Sequence, residues 1–143
     1  MTSLDLTQRA PRSTRETLLG YYGLARTIDK LRAELPGGDM GSYLNHDTGF
    51  SAFVIKRAGL DMNELRDVVA AAPDENGVVA WISARVDPAN GPVLNAKMES
   101  FVIERMSEAD QQLIRERHPV MATRPDLSKI LDILEAEDEY AFG

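Results

Sequence analysis

Apolar residues in this chain recur at three- and four-residue spacing, in short runs broken by Pro, Gly and Asp. The clearest stripe is Leu24, Ile28, Leu31 and Leu35, which at 100° per residue falls within about 60° of arc. It predicts a helix over 24–35, ended by Pro36-Gly37-Gly38. A second helix is expected over 48–58, carrying Phe50, Phe53, Val54 and Ile55 and stopped by Gly59. Asp61-Met62-Asn63-Glu64 is a capping pattern, with Leu60 and Leu65 placed as a hydrophobic staple, and opens a helix over 62–72. Asp74 caps the next, which holds Val78, Trp81 and Ile82. After the turn cluster at 87–91, Pro92 opens a stripe of Val93, Leu94, Met98, Phe101, Val102 and Met106. Ser107 opens a further helix with Leu113 and Ile114 inward, closed near His118-Pro119. Pro125 starts the last, with Leu127, Ile130, Leu131 and Leu134 on one face. Near the start, Ser13-Thr14-Arg15-Glu16 has capping-box spacing and predicts a short helix with Leu18 and Leu19 inward.

No segment alternates with a period of two, so strands are not expected. The pattern predicts an all-α fold, a compact array of about seven or eight short helices with no significant sheet. Residues 1–12 lack periodicity and read as an N-terminal arm, and 13–143 read as a single helical domain. The acidic run 135–139 opposes the dipole at the end of the last helix, so fraying is expected there.

The 143 residues are 43% hydrophobic, enough for a real core. Net charge is −7, which speaks against nucleic acid as a partner. The charge is uneven: residues 1–60 hold 8 Lys/Arg against 6 Asp/Glu, and 61–143 hold 8 against 17. This asymmetry suits either attraction between the two halves or an anionic ligand facing the early half. Cysteine is absent, which excludes disulfides and thiolate chemistry and suits a reducing cytoplasm. No apolar run approaches the length of a membrane span, and the first residues lack the pattern of a signal peptide.

Candidate chemistry concentrates in residues 24–49. On the predicted helix, Ala25, Arg26, Asp29 and Ala33 lie opposite the leucine stripe. A solvated face would carry long charged chains throughout, and the two alanines instead allow a second backbone to approach. Asp29 stands three residues from both Arg26 and Arg32. Arg26 and Lys30, at i and i+4, share one side and suit a carboxylate or phosphate. The polar loop 36–49 is long for a compact domain. It brings Tyr43, Asn45 and His46 as hydrogen-bonding groups, and Asp47 as the expected N-cap of the next helix. His118 reads as a cation at a helix C-terminus. The two histidines are far apart and no helical carboxylate–histidine pairing is present, so no metal site is expected. No nucleotide-binding or nucleophile motif is present, and no cofactor is implied. The helix over 62–72 has Arg66 as its sole cation, too few for a recognition helix.

Several of these strings together resemble a known family. They are Asp5-Leu6-Thr7, Pro11-Arg12-Ser13, Arg26-x-Ile28-Asp29-Lys30-x-Arg32-Ala33, Gly41-x-Tyr43, Gly59-Leu60-Asp61, Asp74 ahead of Trp81, and the 131–138 run. The family is a bacterial one, the domain of unknown function numbered 5069. The resemblance covers nearly the whole chain and implies a bacterial, cytoplasmic, stand-alone domain without assigning an activity. It points to Arg26, Asp29, Lys30, Arg32 and Tyr43. Members with a Cys-Pro pair after the tyrosine have no counterpart here, because this chain has no cysteine.

The sequence therefore predicts a small helical module that binds a partner protein or a small anionic molecule through 24–49, using Arg26, Asp29, Lys30, Arg32, Tyr43, Asn45 and His46. Two alternatives follow from the same residues. One is a small-metabolite enzyme with Asp29 or His46 as base and Arg26 as clamp. The other is a homo-oligomer in which Ala25 and Ala33 are covered only by a second copy.

Overall fold

The first helix, α1 (Leu24–Ala33), is buried on nearly every side, and the surrounding chain is arranged to allow it. Leu24, Ile28 and Leu31 are 0–1% exposed, and on the opposite face Ala25 is 1% and Ala33 3%. The two alanines are thus covered within a single chain. No side chain caps α1. The chain turns into it at Gly23, whose φ of 82° suits glycine and whose Cα lies so near Val54 that an added Cβ would sit 2.9 Å from a methyl carbon.

The computed structural model describes residues 1–43 and 47–142. Six further α-helices follow: α2 (Gly49–Arg57), α3 (Met62–Ala71), α4 (Glu75–Ser83), α5 (Gly91–Glu99), α6 (Glu108–Arg117) and α7 (Ile130–Phe142). Short 3-10 turns stand at Pro88–Asn90, Ile103–Arg105 and Pro119–Ala122. Among the described residues the fold is all-α, with three isolated β-bridges and no sheet. No helix among them is long and apolar enough to cross a membrane.

The chain forms two compact units, 1–94 and 95–143. In the first, α1 packs on α2 and α3, and α3 on α4. Val54, Leu65, Val69, Val78 and Ile82 are each fully buried there. The caps read from sequence hold: Asp61 accepts from the Glu64 amide at 2.9 Å and Asp74 from the Gly77 amide at 3.2 Å. The first residues lie against this core. Leu6 is 1% exposed, and its amide donates to the Asp39 carbonyl at 2.8 Å while Asp39 donates to Leu4 at 3.1 Å. In the second unit α6 and α7 both pack on the 3-10 turn Pro119–Ala122. Ser107 caps α6 by accepting from Asp110 at 3.1 Å.

Several expectations need correction. Residues 13–20 form no helix. The Ser13 hydroxyl accepts from Arg15, two residues on, and the chain makes a tight turn in which Leu18 and Tyr21 exchange both backbone bonds at 3.0 Å. Leu19 and Gly20 both have positive φ, 53° and 81°, the geometry of a type I′ hairpin turn. The Pro92 stripe is not one helix. α5 ends at Glu99, and Val102 bridges to Lys129 instead. Val93 is 72% exposed and Leu113 is 41% exposed, so neither is core. α7 begins at Ile130, not Pro125, and stays helical through the acidic run. Glu137 within that run meets Nδ1 of His118, which is buried at the end of α6. Trp81 is half-buried, with Arg85 stacked on its ring at 4.1 Å.

Candidate functional site

Asp29 is 0% exposed, and its carboxylate is held from outside its own helix. Arg12 supplies the partner. Its backbone amide donates to Oδ2 at 2.8 Å, its Nε reaches both oxygens at 3.1–3.2 Å, and Nη2 reaches Oδ1 at 3.0 Å. The same guanidinium meets Glu75 in the first turn of α4, through Nη1 at 3.2 Å and through Nη2, and touches the Ala25 carbonyl at 3.3 Å. Burial works to lower the Arg12 pKa, but the bonds to Glu75 and Asp29 outweigh it and raise it. One arginine from the first segment thereby ties α1 to α4. A planar fork with five donors is needed for so many acceptors at once.

Arg26 is 5% exposed. Its Nη1 donates to the Arg12 carbonyl at 3.1 Å, and its guanidinium carbon lies 5.5 Å from the centre of the Tyr43 ring. The structure therefore brings together the arginine of α1 and the tyrosine of the following loop. Lys30, one turn on from Arg26, is 7% exposed. Arg32 lies about 120° around the helix from Arg26. Its Nε donates to the Thr2 carbonyl at 2.9 Å, so it holds the first residues of the chain. Asn45 and His46 lie outside the described residues.

Asp47 is not the cap of α2. That place belongs to Thr48, whose side chain makes no capping bond. Asp47 instead faces Arg66 of α3 at 3.3 Å. A cleft of about 240 Å³ lined by Asp47, Ile55, Lys56, Leu60 and Asp61 includes neither Arg26 nor Tyr43. Among the described residues no cluster of His, Asp and Glu is arranged to hold a metal ion.

The residue that sequence spacing missed is Arg12, with Glu75 behind it. The signal was present, since Arg12 stands in one of the strings that carry the family likeness. That likeness is now direct: the pattern of the family described as Domain of unknown function (DUF5069) matches residues 8–140. The chain belongs to this family. Arg12, Arg26, Asp29, Lys30, Tyr43 and Glu75 all fall inside the DUF5069 match, and Thr2, which holds Arg32, falls outside it. No curated protein matches the chain.

Proposed function

We propose that this DUF5069 chain is a small binding module and that the face of α1 bearing Arg26 and Lys30, with Tyr43 beside it, takes a small anion. The observation that carries this reading is the setting of Arg26. Its guanidinium is withdrawn from water, fixed by the Arg12 carbonyl and backed by the Tyr43 ring. A preoriented guanidinium in a low-dielectric setting is the group best suited to a carboxylate or phosphate, with Lys30 adding a second positive charge one turn away. Arg12 and Asp29 support that face by fixing the backbone from which Arg26 hangs. The Asp29 carboxylate is engaged on both oxygens, which argues against a role as general base. Ala25 and Ala33 are buried without a second copy, so they supply no case for an oligomer.

The test is a calorimetric titration with inorganic phosphate and with a dicarboxylate, on the wild-type chain and on Tyr43→Leu and Arg26→Lys. Binding by the wild type that weakens several-fold in both variants is the expected result. No heat with either anion, together with capture of a protein partner through the same face, would replace the small-anion reading with the partner reading.

A further inference from the structure

We propose that Arg66 is the positioning residue of the Tyr43 loop, a clasp that fixes both ends of the connection between α1 and α2. Glu34 caps the C-terminal end of α1, and Asp47 immediately precedes the N-cap of α2. Arg66, on α3, donates from Nε to Glu34 Oε2 at 3.2 Å and from Nη2 to Asp47 Oδ1 at 3.3 Å. A third bond, from Nη1 to Asn63 Oδ1 at 2.6 Å, reaches one turn back along α3 and sets the plane of the fork. α3 is a firm base for it, because Leu65 and Val69 on either side of Arg66 are fully buried.

Earlier in the loop, Asp39 exchanges backbone bonds with the Leu4–Leu6 segment. Tyr43 stands between those bonds and Asp47. With the clasp intact, the chain carrying Tyr43 is held on both sides, and its ring is kept over Arg26. Without it, the chain after Tyr43 loses its tie to α3 and the stacking geometry loosens. The clasp is a weak device by design of its surroundings: the three side chains are 34%, 32% and 51% exposed, so each pair adds little to global stability and is screened by salt. Such a contact changes where a loop spends its time far more than whether the protein folds. The fork also explains why arginine stands here, since a lysine ammonium cannot meet Glu34 and Asp47 in one plane with Asn63.

The consequence for anion binding rests on the function proposed above; the clasp itself does not. The experiment compares wild type, Arg66→Gln, Arg66→Lys and Asp47→Asn by amide hydrogen exchange, with an inorganic phosphate titration alongside. In Arg66→Gln the amides of Gly38, Asp39, Gly41 and Tyr43 are expected to exchange about two- to fivefold faster, the range that loss of an exposed ion pair allows. Interior amides of α1 and α3 and the melting temperature stay unchanged. Asp47→Asn reproduces the effect from the loop side, and Arg66→Lys recovers part of the protection. The phosphate Kd rises several-fold in step with the exchange. Unchanged exchange over 38–43 in both Arg66→Gln and Asp47→Asn would overturn the clasp. Faster exchange with an unaltered phosphate Kd would overturn its role in positioning the site. If the wild type takes up no phosphate, the anion reading falls, and the exchange data alone decide for or against the clasp.

Discussion

A buried carboxylate is tolerable only where its lone pairs are met, and Asp29 meets that condition through a residue seventeen positions earlier. Helical spacing singled out Asp29 correctly as unusual, yet offered Arg26 and Arg32 as partners because they lie one turn away. Arg12 occupies the carboxylate because it brings a backbone amide as well as a fork, a combination no neighbour on the same helix can present. Asp29→Asn is expected to cost about 3 kcal/mol, the lower end for breaking a buried charged pair, since Arg12 retains some solvent. Urea unfolding measures it, and Arg12→Lys should recover little because a point charge cannot replace the fork. Tyr21 offers a second test. Its hydroxyl donates to the Asp87 carbonyl at 2.7 Å while its ring is buried. Tyr21→Phe should lower stability by about 1 kcal/mol. Burial, reinforced by the nearby Asp87 charge, raises the Tyr21 pKa. A raised folded-state value means that the contribution of Tyr21 is complete below the ordinary phenol range and disappears as the pH climbs through and beyond it, above about pH 10. Equilibrium unfolding at alkaline pH should show a decline that Tyr21→Phe lacks.

At the scale of elements, legibility followed periodicity. α1, α3 and α4 were readable because a stripe and a boundary signal agreed on each, the Pro36-Gly37-Gly38 stop for α1 and an aspartate N-cap for α3 and α4. Residues 13–20 were not, because a capping-box spacing is four residues of local information, and the tertiary demand there was for a reversal. Leu19 accepts a positive φ to complete that reversal, which no propensity scale favours. The reason for the tight turn lies further along the chain: Gly91, at the start of α5, comes so near that an added Cβ would stand 2.3 Å from the Gly20 carbonyl oxygen. Gly91→Ala must displace backbone, and a loss of about 1–3 kcal/mol is expected in thermal or urea unfolding. Asp61→Ala serves as a comparison within the same unit, with a loss of about 1 kcal/mol from an N-cap whose bond is plainly formed. A Gly91→Ala variant as stable as the wild type would mean that the approach of α5 to the turn is not tight in solution.

Over the whole molecule, charge is distributed so that acid is the damaging direction. Asp5 is lowered by its bonds to Thr7, Glu104 by Ser128 and Asp126 by Arg124. Depressed carboxylates contribute stability above their unfolded values and lose it as the pH falls through their folded ones. Melting temperature should therefore be flat near neutrality and fall below about pH 4. Stabilisation on acidification, measured by a pH series of thermal melts, would contradict this. With a net charge of −7, the anion proposed for α1 would approach a chain that repels it at long range, so its association should quicken as salt is added.

The sequence by itself determined the helical class, the order of the main helices and the 24–49 region as the chemically rich one. These follow from spacing within about a dozen residues, the range over which a helix repeats its faces. Its likeness to DUF5069 was legible for the same reason, as short strings in a fixed order. Tertiary structure decided which polar groups meet: Arg12 with Asp29 and Glu75, Arg66 with Glu34 and Asp47, and Arg26 with the Tyr43 ring. Those pairings join residues up to 63 positions apart, and side-chain reach and burial settle them after the helices have packed.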